Sequence, residues 1–173
     1  MANLQANLRS HCATARDEPE RFLCSVNQLF CESTPDSAYA TLLYAEYDDN
    51  TQRLRYANCG HLHGLLLRID GRLDRLQTTA PVLGFFDNWE CAIGEHALRS
   101  GDLLVLYTDG VTESFNASGE EFGEERLLDG LRRFRDLPTG PLLDSIVDDV
   151  RRFSPHEQYD DITMIVARCR TAS

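Results

Sequence analysis

The sequence predicts an α+β fold in which antiparallel strands and helices form separate layers. Short polar turns such as Asp48-Asp49-Asn50 and Asp70-Gly71 separate segments rich in aromatic and aliphatic residues, which indicates strands joined by hairpins. Segments with helical apolar spacing occur in pairs and do not alternate with the strands. The chain has 173 residues, enough for one domain with its own core, so we assign residues 1–173 to a single domain.

Apolar residues at helical spacing predict four helices, the first at the start of the chain. Pro19 suits the first turn of the second helix, because its missing N–H is not needed there, and Pro141 suits the last helix in the same way. The second, third and fourth helices are predicted over residues 19–32, 127–134 and 142–153.

The first helix begins without a capping residue. Its stripe consists of Met1, Leu4 and Leu8, and no Ser, Thr, Asp or Asn precedes it. A helix that frays at Met1 and a helix that continues from an upstream segment both explain this start, and the stripe alone favours neither.

The strands are recognised by β-forming residues and by alternation. Residues 53–56 alternate polar and apolar side chains, as a half-buried strand does. Gly71 accepts the positive φ that a two-residue hairpin turn requires. Strands are predicted over residues 38–47, 53–56, 64–69, 72–76, 89–93, 103–107 and 162–169.

Composition excludes several classes of function. The net charge of −11 repels a phosphate backbone, so nucleic acid is not an expected partner. No apolar run has the length of a membrane span, and the N-terminus lacks the layout of a signal peptide, so we expect a cytoplasmic protein without membrane contact.

The six cysteines form no C-x-x-C pair and fit neither a zinc site nor a secreted disulfide framework. Most have apolar neighbours in the sequence, so we expect them to behave as small buried hydrophobes in a reducing compartment. They are Cys12, Cys24, Cys31, Cys59, Cys91 and Cys169.

Two acidic motifs are the candidate functional residues. Asp109-Gly110 follows the apolar strand 103–107, and Asp160-Asp161 precedes the last strand. Carboxylates that meet at the edge of a sheet suit hard divalent cations such as magnesium or manganese. Asp-Gly and Asp-Asp are also common in ordinary turns, and their spacing alone favours turns.

The histidines are not assigned to a metal. His61 and His63 are one residue apart, but imidazole prefers softer ions than a carboxylate site does. We expect His61 to cap the turn after Gly60 and His63 to be a loop or strand residue. Trp89 is assigned to the core.

Three segments resemble the SpoIIE-type phosphatases, the bacterial branch of the metal-dependent protein phosphatase 2C-like (PPM) family. They follow one another along the chain in the same order as in that family. The central one runs from Gly101 through Tyr107-Thr108-Asp109-Gly110 to Glu113 and is followed by Phe122-Gly123. The other two are Tyr56-Ala57-Asn58-Cys59-Gly60-His61, where the family more usually has alanine at position 59, and Gln158-Tyr159-Asp160-Asp161-Ile162-Thr163.

The resemblance implies a layered α-β-β-α sandwich of two antiparallel sheets flanked by helix pairs. It also implies that Asp109 and Asp160 bind metal and are the catalytic residues, in a site for two Mn²⁺ or Mg²⁺ ions in the complete domain. Asp161 stands where the family has Asp or Asn, so we assign it as a neighbour of the site.

The implied activity is hydrolysis of phosphoserine or phosphothreonine by direct attack of a metal-activated water. The implied substrate is a phosphorylated regulatory protein, a STAS-type anti-anti-sigma factor in a partner-switching pathway.

One departure from the family pattern concerns the N-terminal side. The other metal-binding aspartates of the family precede the helix that Met1 begins here, and the first acids of this chain, Asp17 and Glu18, lie between two predicted helices. We therefore expect the chain to be the C-terminal part of the domain, N-terminally incomplete.

Two alternatives to an enzyme stay open. The chain can be a catalytically incomplete remnant that binds a partner or forms a homodimer through its opening helix and an exposed sheet edge. It can also be an acidic interaction domain whose Asp-Gly and Asp-Asp motifs are only turns.

Overall fold

A computed structural model describes residues 18–35, 37–86, 88–155 and 161–170. These residues form two compact units, one comprising the described residues up to His63 together with Leu76–Leu98, the other comprising Gly64–Arg75 and the residues from Arg99 onward. The helix predicted at the start of the chain lies outside the described residues, and the assignment of 1–173 to one domain stays a prediction.

Three of the described helices match the apolar spacing of the sequence, and a fourth, short helix begins at Asp109. Within the described ranges, no helix combines the length and the apolar character that a bilayer crossing demands. The helices are α1 (Pro19–Ser33), α2 (Asp109–Thr112), α3 (Gly123–Arg133) and α4 (Thr139–Phe153).

The strands form two antiparallel sheets, of which one has the order β1-β2-β5 and the other the order β4-β3-β6-β7. This arrangement, with separate helical segments, confirms the predicted α+β class. The strands are β1 (Leu42–Asp48), β2 (Arg53–Cys59), β3 (Gly64–Leu67), β4 (Leu73–Leu76), β5 (Gly94–Ala97), β6 (Leu103–Tyr107) and β7 (Met164–Arg168).

In the first unit, β1 and β2 pair over their whole length, from Leu42 opposite Cys59 to Asp48 opposite Arg53. Asn50 N–H donates to a side-chain oxygen of Asp48 at 2.9 Å, which closes the predicted polar turn. Strand β1 is an edge of this sheet.

The strand predicted over residues 89–93 is wrong, because the observed strand begins at Gly94, directly after the predicted segment ends. The apolar residues before it serve the core from a loop. Trp89 is buried as predicted, and its indole N–H donates to the carbonyl of Pro81 at 3.0 Å. Gly94 then pairs with Tyr56, and a Cβ at this position would overlap the Tyr56 ring.

Helix α1 covers the first unit with its apolar face. Asn27 is buried on this face, and its Oδ1 accepts a hydrogen bond from Gly84 N–H at 2.8 Å, so the one buried amide of the helix is satisfied. The core of this unit consists of Phe22, Leu23, Val26, Phe30, Ala57, Cys59, Ala80, Leu83 and Trp89.

In the second unit, a hairpin joins β3 to β4 at the predicted place, but its loop has three residues, 69–71, where two were predicted, because Arg68 pairs with Arg72. Gly71 has a φ of +88°, and Arg72 N–H donates to Asp70 Oδ1 at 3.0 Å. The backbone N–H of Arg68 donates to the carbonyl of Arg72 at 2.8 Å and closes the hairpin.

Strand β6 is an interior strand of its sheet, paired with β3 on one side and β7 on the other. Alternate residues Leu103, Val105 and Tyr107 face a core that α3 and α4 cover. The remaining buried members of this core are Leu65, Leu67, Val111, Phe122, Leu127, Leu128, Leu131, Leu142, Ile146 and Val150.

A buried carboxylate fixes the beginning of β6. Asp102 is 1% exposed, and its oxygens accept hydrogen bonds from the N–H groups of Ile69 at 2.8 Å and Arg99 at 2.9 Å. The guanidinium of Arg68 donates to Asp102 at 2.9 Å and also to Asp74 at 2.7 Å. Three donors and a positive charge thus compensate the burial of this carboxylate.

We expect Asp102→Ala to lower the free energy of unfolding by about 3–5 kcal/mol, because it leaves two backbone N–H groups without their acceptor and removes one of the two carboxylates that contact the largely buried Arg68 guanidinium. Asp74→Ala is the matched control. Its carboxylate contacts the same guanidinium but its side chain is 36% exposed, so we expect a loss of about 1 kcal/mol or less.

Urea denaturation of the two variants and the parent measures both values. Equal losses for the two aspartates would show that burial does not distinguish them.

Candidate metal centre

Asp109 lies just after the C-terminal end of β6, where it is exposed to solvent. It is the first residue of α2, its side chain is exposed, and its Oδ1 accepts a hydrogen bond from Gly110 N–H at 3.0 Å. The backbone below it is fixed, because Glu113 N–H donates to the Asp109 carbonyl at 2.7 Å and Val111 is only 1% exposed. The structure thus presents one carboxylate to solvent from a rigid turn.

Thr108, the residue before Asp109, joins this turn to the second acidic motif. Its backbone N–H donates to the Thr163 carbonyl at 3.0 Å. Its hydroxyl donates to the Asp161 carbonyl at 3.0 Å and accepts a hydrogen bond from Thr163 N–H at 3.0 Å. One threonine therefore makes three hydrogen bonds to a segment more than fifty residues away in the sequence.

The structure brings the two acidic motifs together as far as it describes them. Asp161 is exposed, and its backbone is bound to the residue that precedes Asp109. Asp160 lies outside the described residues, so the convergence of the Asp109 and Asp160 carboxylates stays a prediction.

The oxygen atoms near Asp109 are of the type that a hard divalent cation prefers as ligands. Carboxylate and carbonyl oxygens are the ligands of magnesium and manganese, and the Asp109 carboxylate is exposed enough to exchange water for a metal. Within the ranges that the structure describes, no three His, Cys, Asp or Glu side chains converge as a metal site would require.

Behind the site, Tyr107 forms a buried contact with α3. Its hydroxyl donates to Glu124 Oε2 at 3.3 Å, and Glu124 also forms an ion pair with Arg75. Burial, and then the negative charge of Glu124, raise the pKa of the Tyr107 phenol well above its usual range. The phenol therefore stays neutral and acts as a hydrogen-bond donor that fixes the end of β6 to α3.

In the first unit, the segment Tyr56–His61 is organised by Asn58. This residue is fully buried, and its amide donates to the carbonyls of Leu76 at 3.1 Å and Leu62 at 3.3 Å. Its Oδ1 accepts a hydrogen bond from His61 N–H at 2.9 Å. The turn at Gly60 has a φ of +71°, and Asn58 closes it.

The predicted capping role of His61 therefore belongs mainly to Asn58. The His61 ring lies against the neighbouring Leu62 carbonyl, with Nδ1 at 3.1 Å from the oxygen. His63 is half-buried.

The described cysteines are less buried than expected. Cys59 is fully buried, but Cys24 is exposed, because its position on α1 lies away from the apolar face. The other described cysteines, Cys31, Cys91 and Cys169, are partly buried, and all five described thiols are free.

Three residues with defined roles were not singled out by the sequence: Thr108, Asp102 and Asn58. Each lies inside a motif, but the sequence alone does not show which polar residues of a motif are buried. What these residues share in the sequence is a polar side chain at a strand end. Backbone N–H and C=O groups no longer pair with a neighbouring strand there and require other hydrogen-bond partners.

The protein-family model of Stage II sporulation protein E (SpoIIE) matches this chain over residues 1–170. Protein IcfG of Synechocystis sp. is 34% identical over 128 residues, which cover 73% of this chain and 20% of that protein. Phosphoserine phosphatase RsbU of Bacillus subtilis is 25% identical over 158 residues, which cover 87% of this chain and 45% of that protein. The chain thus spans less than half the length of either relative.

Solved structures show the same fold. The RsbU and RsbW domains of a Mycobacterium tuberculosis protein match with a TM-score of 0.83 at 22% identity, over 100% of this chain and 48% of that one. The catalytic domain of the serine threonine protein phosphatase PstP, in complex with two manganese ions, matches with a TM-score of 0.65 at 18% identity, over 95% of this chain and 80% of that one.

The family match covers nearly the whole chain and includes the three segments that carry the resemblance. The two antiparallel sheets are consistent with this family match, and so is the exposed Asp109 beside the Asp161 segment. The chain belongs to the SpoIIE family.

Proposed function

We propose that this chain carries the catalytic part of a metal-dependent serine/threonine protein phosphatase that acts on a phosphorylated regulatory protein. The observation that carries the proposal is the exposed carboxylate of Asp109, held next to the Asp161 segment by Thr108, in a chain of the SpoIIE family. Similarity to phosphoserine phosphatase RsbU supports the reaction class.

We assign Asp109 and Asp160 as metal ligands, and Mn²⁺ or Mg²⁺ as the cofactor. The two manganese ions of the PstP structure support this choice of metal. Bound divalent ions supply Lewis-acid chemistry, which makes water a better nucleophile at neutral pH and offsets the charge of the phosphoryl group.

The residues of this chain position and expose the site. Asp109 offers its carboxylate from the end of β6, where a phosphorylated side chain of another protein can reach it from solvent. Tyr107 and Val111, buried on either side of Asp109 in the sequence, restrain the backbone that carries the ligand. A ligand held in this way needs little reorganisation when metal and phosphate arrive.

We expect Asp109→Asn and Asp160→Asn in the full-length protein to lower manganese-dependent hydrolysis of p-nitrophenyl phosphate by about 100-fold or more, since each removes a charged metal ligand. Asp161→Asn is the matched control on the adjacent residue. We expect it to change the rate by less than about threefold, because Asp161 is assigned as a neighbour.

Steady-state kinetics at saturating manganese measure these rates, and circular dichroism checks that each variant is folded. A parent rate retained by Asp109→Asn would remove Asp109 from the site. A large loss of rate in Asp161→Asn, with Asp160→Asn unaffected, would show that Asp161 and not Asp160 is the metal ligand.

The substrate that we propose is a phosphorylated STAS-type anti-anti-sigma factor. The exposed position of Asp109 supports a folded protein as substrate, because a phosphorylated surface side chain can approach an exposed carboxylate. Contacts away from the phosphate then contribute binding energy that a small phosphoester lacks.

We expect the full-length protein to act on a folded phosphoserine STAS protein with a kcat/KM about tenfold or more above that for a short phosphopeptide of the same sequence. Phosphate-release assays on the two substrates measure the ratio, with Asp109→Asn as the control for uncatalysed release. An equal or inverted ratio would contradict recognition of the folded partner.

The alternative is a chain that binds a partner without turnover, and one observation favours it. Strand β1 spans seven residues and lies at the edge of its sheet in the described part of the chain. An edge strand carries backbone groups that can pair with a second copy, which would produce a homodimer.

Manganese titration and sedimentation of the 173-residue chain separate the two candidates. We expect weak manganese binding by this chain, because the sequence supplies only two predicted carboxylate ligands. Tight binding of two ions would refute the remnant alternative, and a stable dimer without any metal binding would favour it.

A further inference from the structure

We propose that Thr108 is a positioning residue of the metal centre, and that its hydroxyl sets the distance between Asp109 and the closing acidic motif. This inference rests on the proposed function and deepens it. The hydroxyl accepts a hydrogen bond from Thr163 N–H and donates one to the Asp161 carbonyl, both at 3.0 Å.

The geometry goes beyond ordinary strand pairing. The β6–β7 ladder ends at Tyr107 opposite Met164. The backbone N–H of Thr108 extends it by one bond, to the Thr163 carbonyl. Beyond this bond the side chain of Thr108 is itself a partner of the backbone before β7, because its hydroxyl binds the Asp161 carbonyl and the Thr163 N–H.

This link acts on both acidic motifs at once. Thr108 is covalently bonded to Asp109, and its hydroxyl holds the carbonyl of Asp161, the residue that follows Asp160 in the sequence. A metal that requires oxygen ligands from both motifs needs these backbones at a fixed separation. Because hydroxyl and carbonyl are neutral, Thr108 acts through placement and leaves the charge of the site to the carboxylates.

We expect folding to tolerate the loss of the Thr108 hydroxyl. The Thr163 and Asp161 groups that it binds lie at the exposed edge of the second unit, where water can replace it. The backbone bond of Thr108 to Thr163 does not depend on the side chain. Thr108→Val therefore removes two hydrogen bonds and leaves the ladder in place.

The experiment compares Thr108→Val with Thr108→Ser, which retains the hydroxyl, and with Thr112→Val. The last variant is a matched control, because the Thr112 hydroxyl donates to the Asp109 carbonyl at 3.3 Å, a contact within the same short helix. Each is made in the full-length protein. Calorimetry gives the manganese affinity, and NMR hydrogen exchange gives the protection of the Thr163 amide.

We expect Thr108→Val to weaken manganese binding by about tenfold and to speed exchange of the Thr163 amide by about tenfold, the effect of losing one to two hydrogen bonds. The Cys169 amide, which donates to the Asp102 carbonyl at the far end of the same strand, should be unchanged. Thr108→Ser should restore both quantities, and Thr112→Val should resemble the parent.

The inference alone is tested when the parent binds manganese and Asp109→Asn is inactive. It is then overturned by parent-like manganese affinity in Thr108→Val, or by a Thr108→Ser variant that binds manganese as weakly as Thr108→Val. A parent that binds no manganese overturns the proposed function, and the inference with it. Faster exchange of Cys169 in Thr108→Val would show general destabilisation and also overturn the positioning role.

Discussion

The antiparallel pairing of β6 with β7 is the constraint on which the site depends. It places Tyr107 opposite Met164, so the turn that begins with Asp109 and the segment that contains Asp161 leave the sheet at the same edge. Without this register, no local feature of either motif would bring them together. A slip of one residue would also turn Val105 and its alternating neighbours away from the core, so the same apolar pattern that buries β6 protects the register of the acidic motifs.

Two aspartates at the ends of β6 show how environment divides roles between identical side chains. Asp102 is buried and receives three hydrogen bonds, which leave little of its carboxylate for a ligand. Asp109 is exposed, and its carboxylate accepts a hydrogen bond from the N–H of the adjacent Gly110. A buried, saturated carboxylate stabilises the fold, whereas an exposed one on a fixed backbone can exchange water for a metal.

Much of this could be predicted from the sequence, because the α+β class follows from turn residues and from apolar spacing. The hairpin at Asp70-Gly71 and helices α1 and α4 are examples whose signals are local. The strand over residues 89–93 could not be placed correctly. Trp89 packs into the core from a loop, so its apolar character reflects tertiary packing and not a strand. The Asp109 motif was recognised, but the hydrogen bonds of Thr108 join segments far apart in the sequence, and no local pattern reports them.

The separation of the two aspartates along one strand has a consequence for how the protein tolerates variation. Substitutions near Asp102 act on the amount of folded protein that a cell maintains, whereas on the proposed function substitutions near Asp109 act on turnover per molecule. In a saturation library scored for abundance and for the proposed phosphatase activity, positions at the two ends of β6 would therefore fall into different classes. A variant that is abundant but inactive would map to the Asp109 end of the strand.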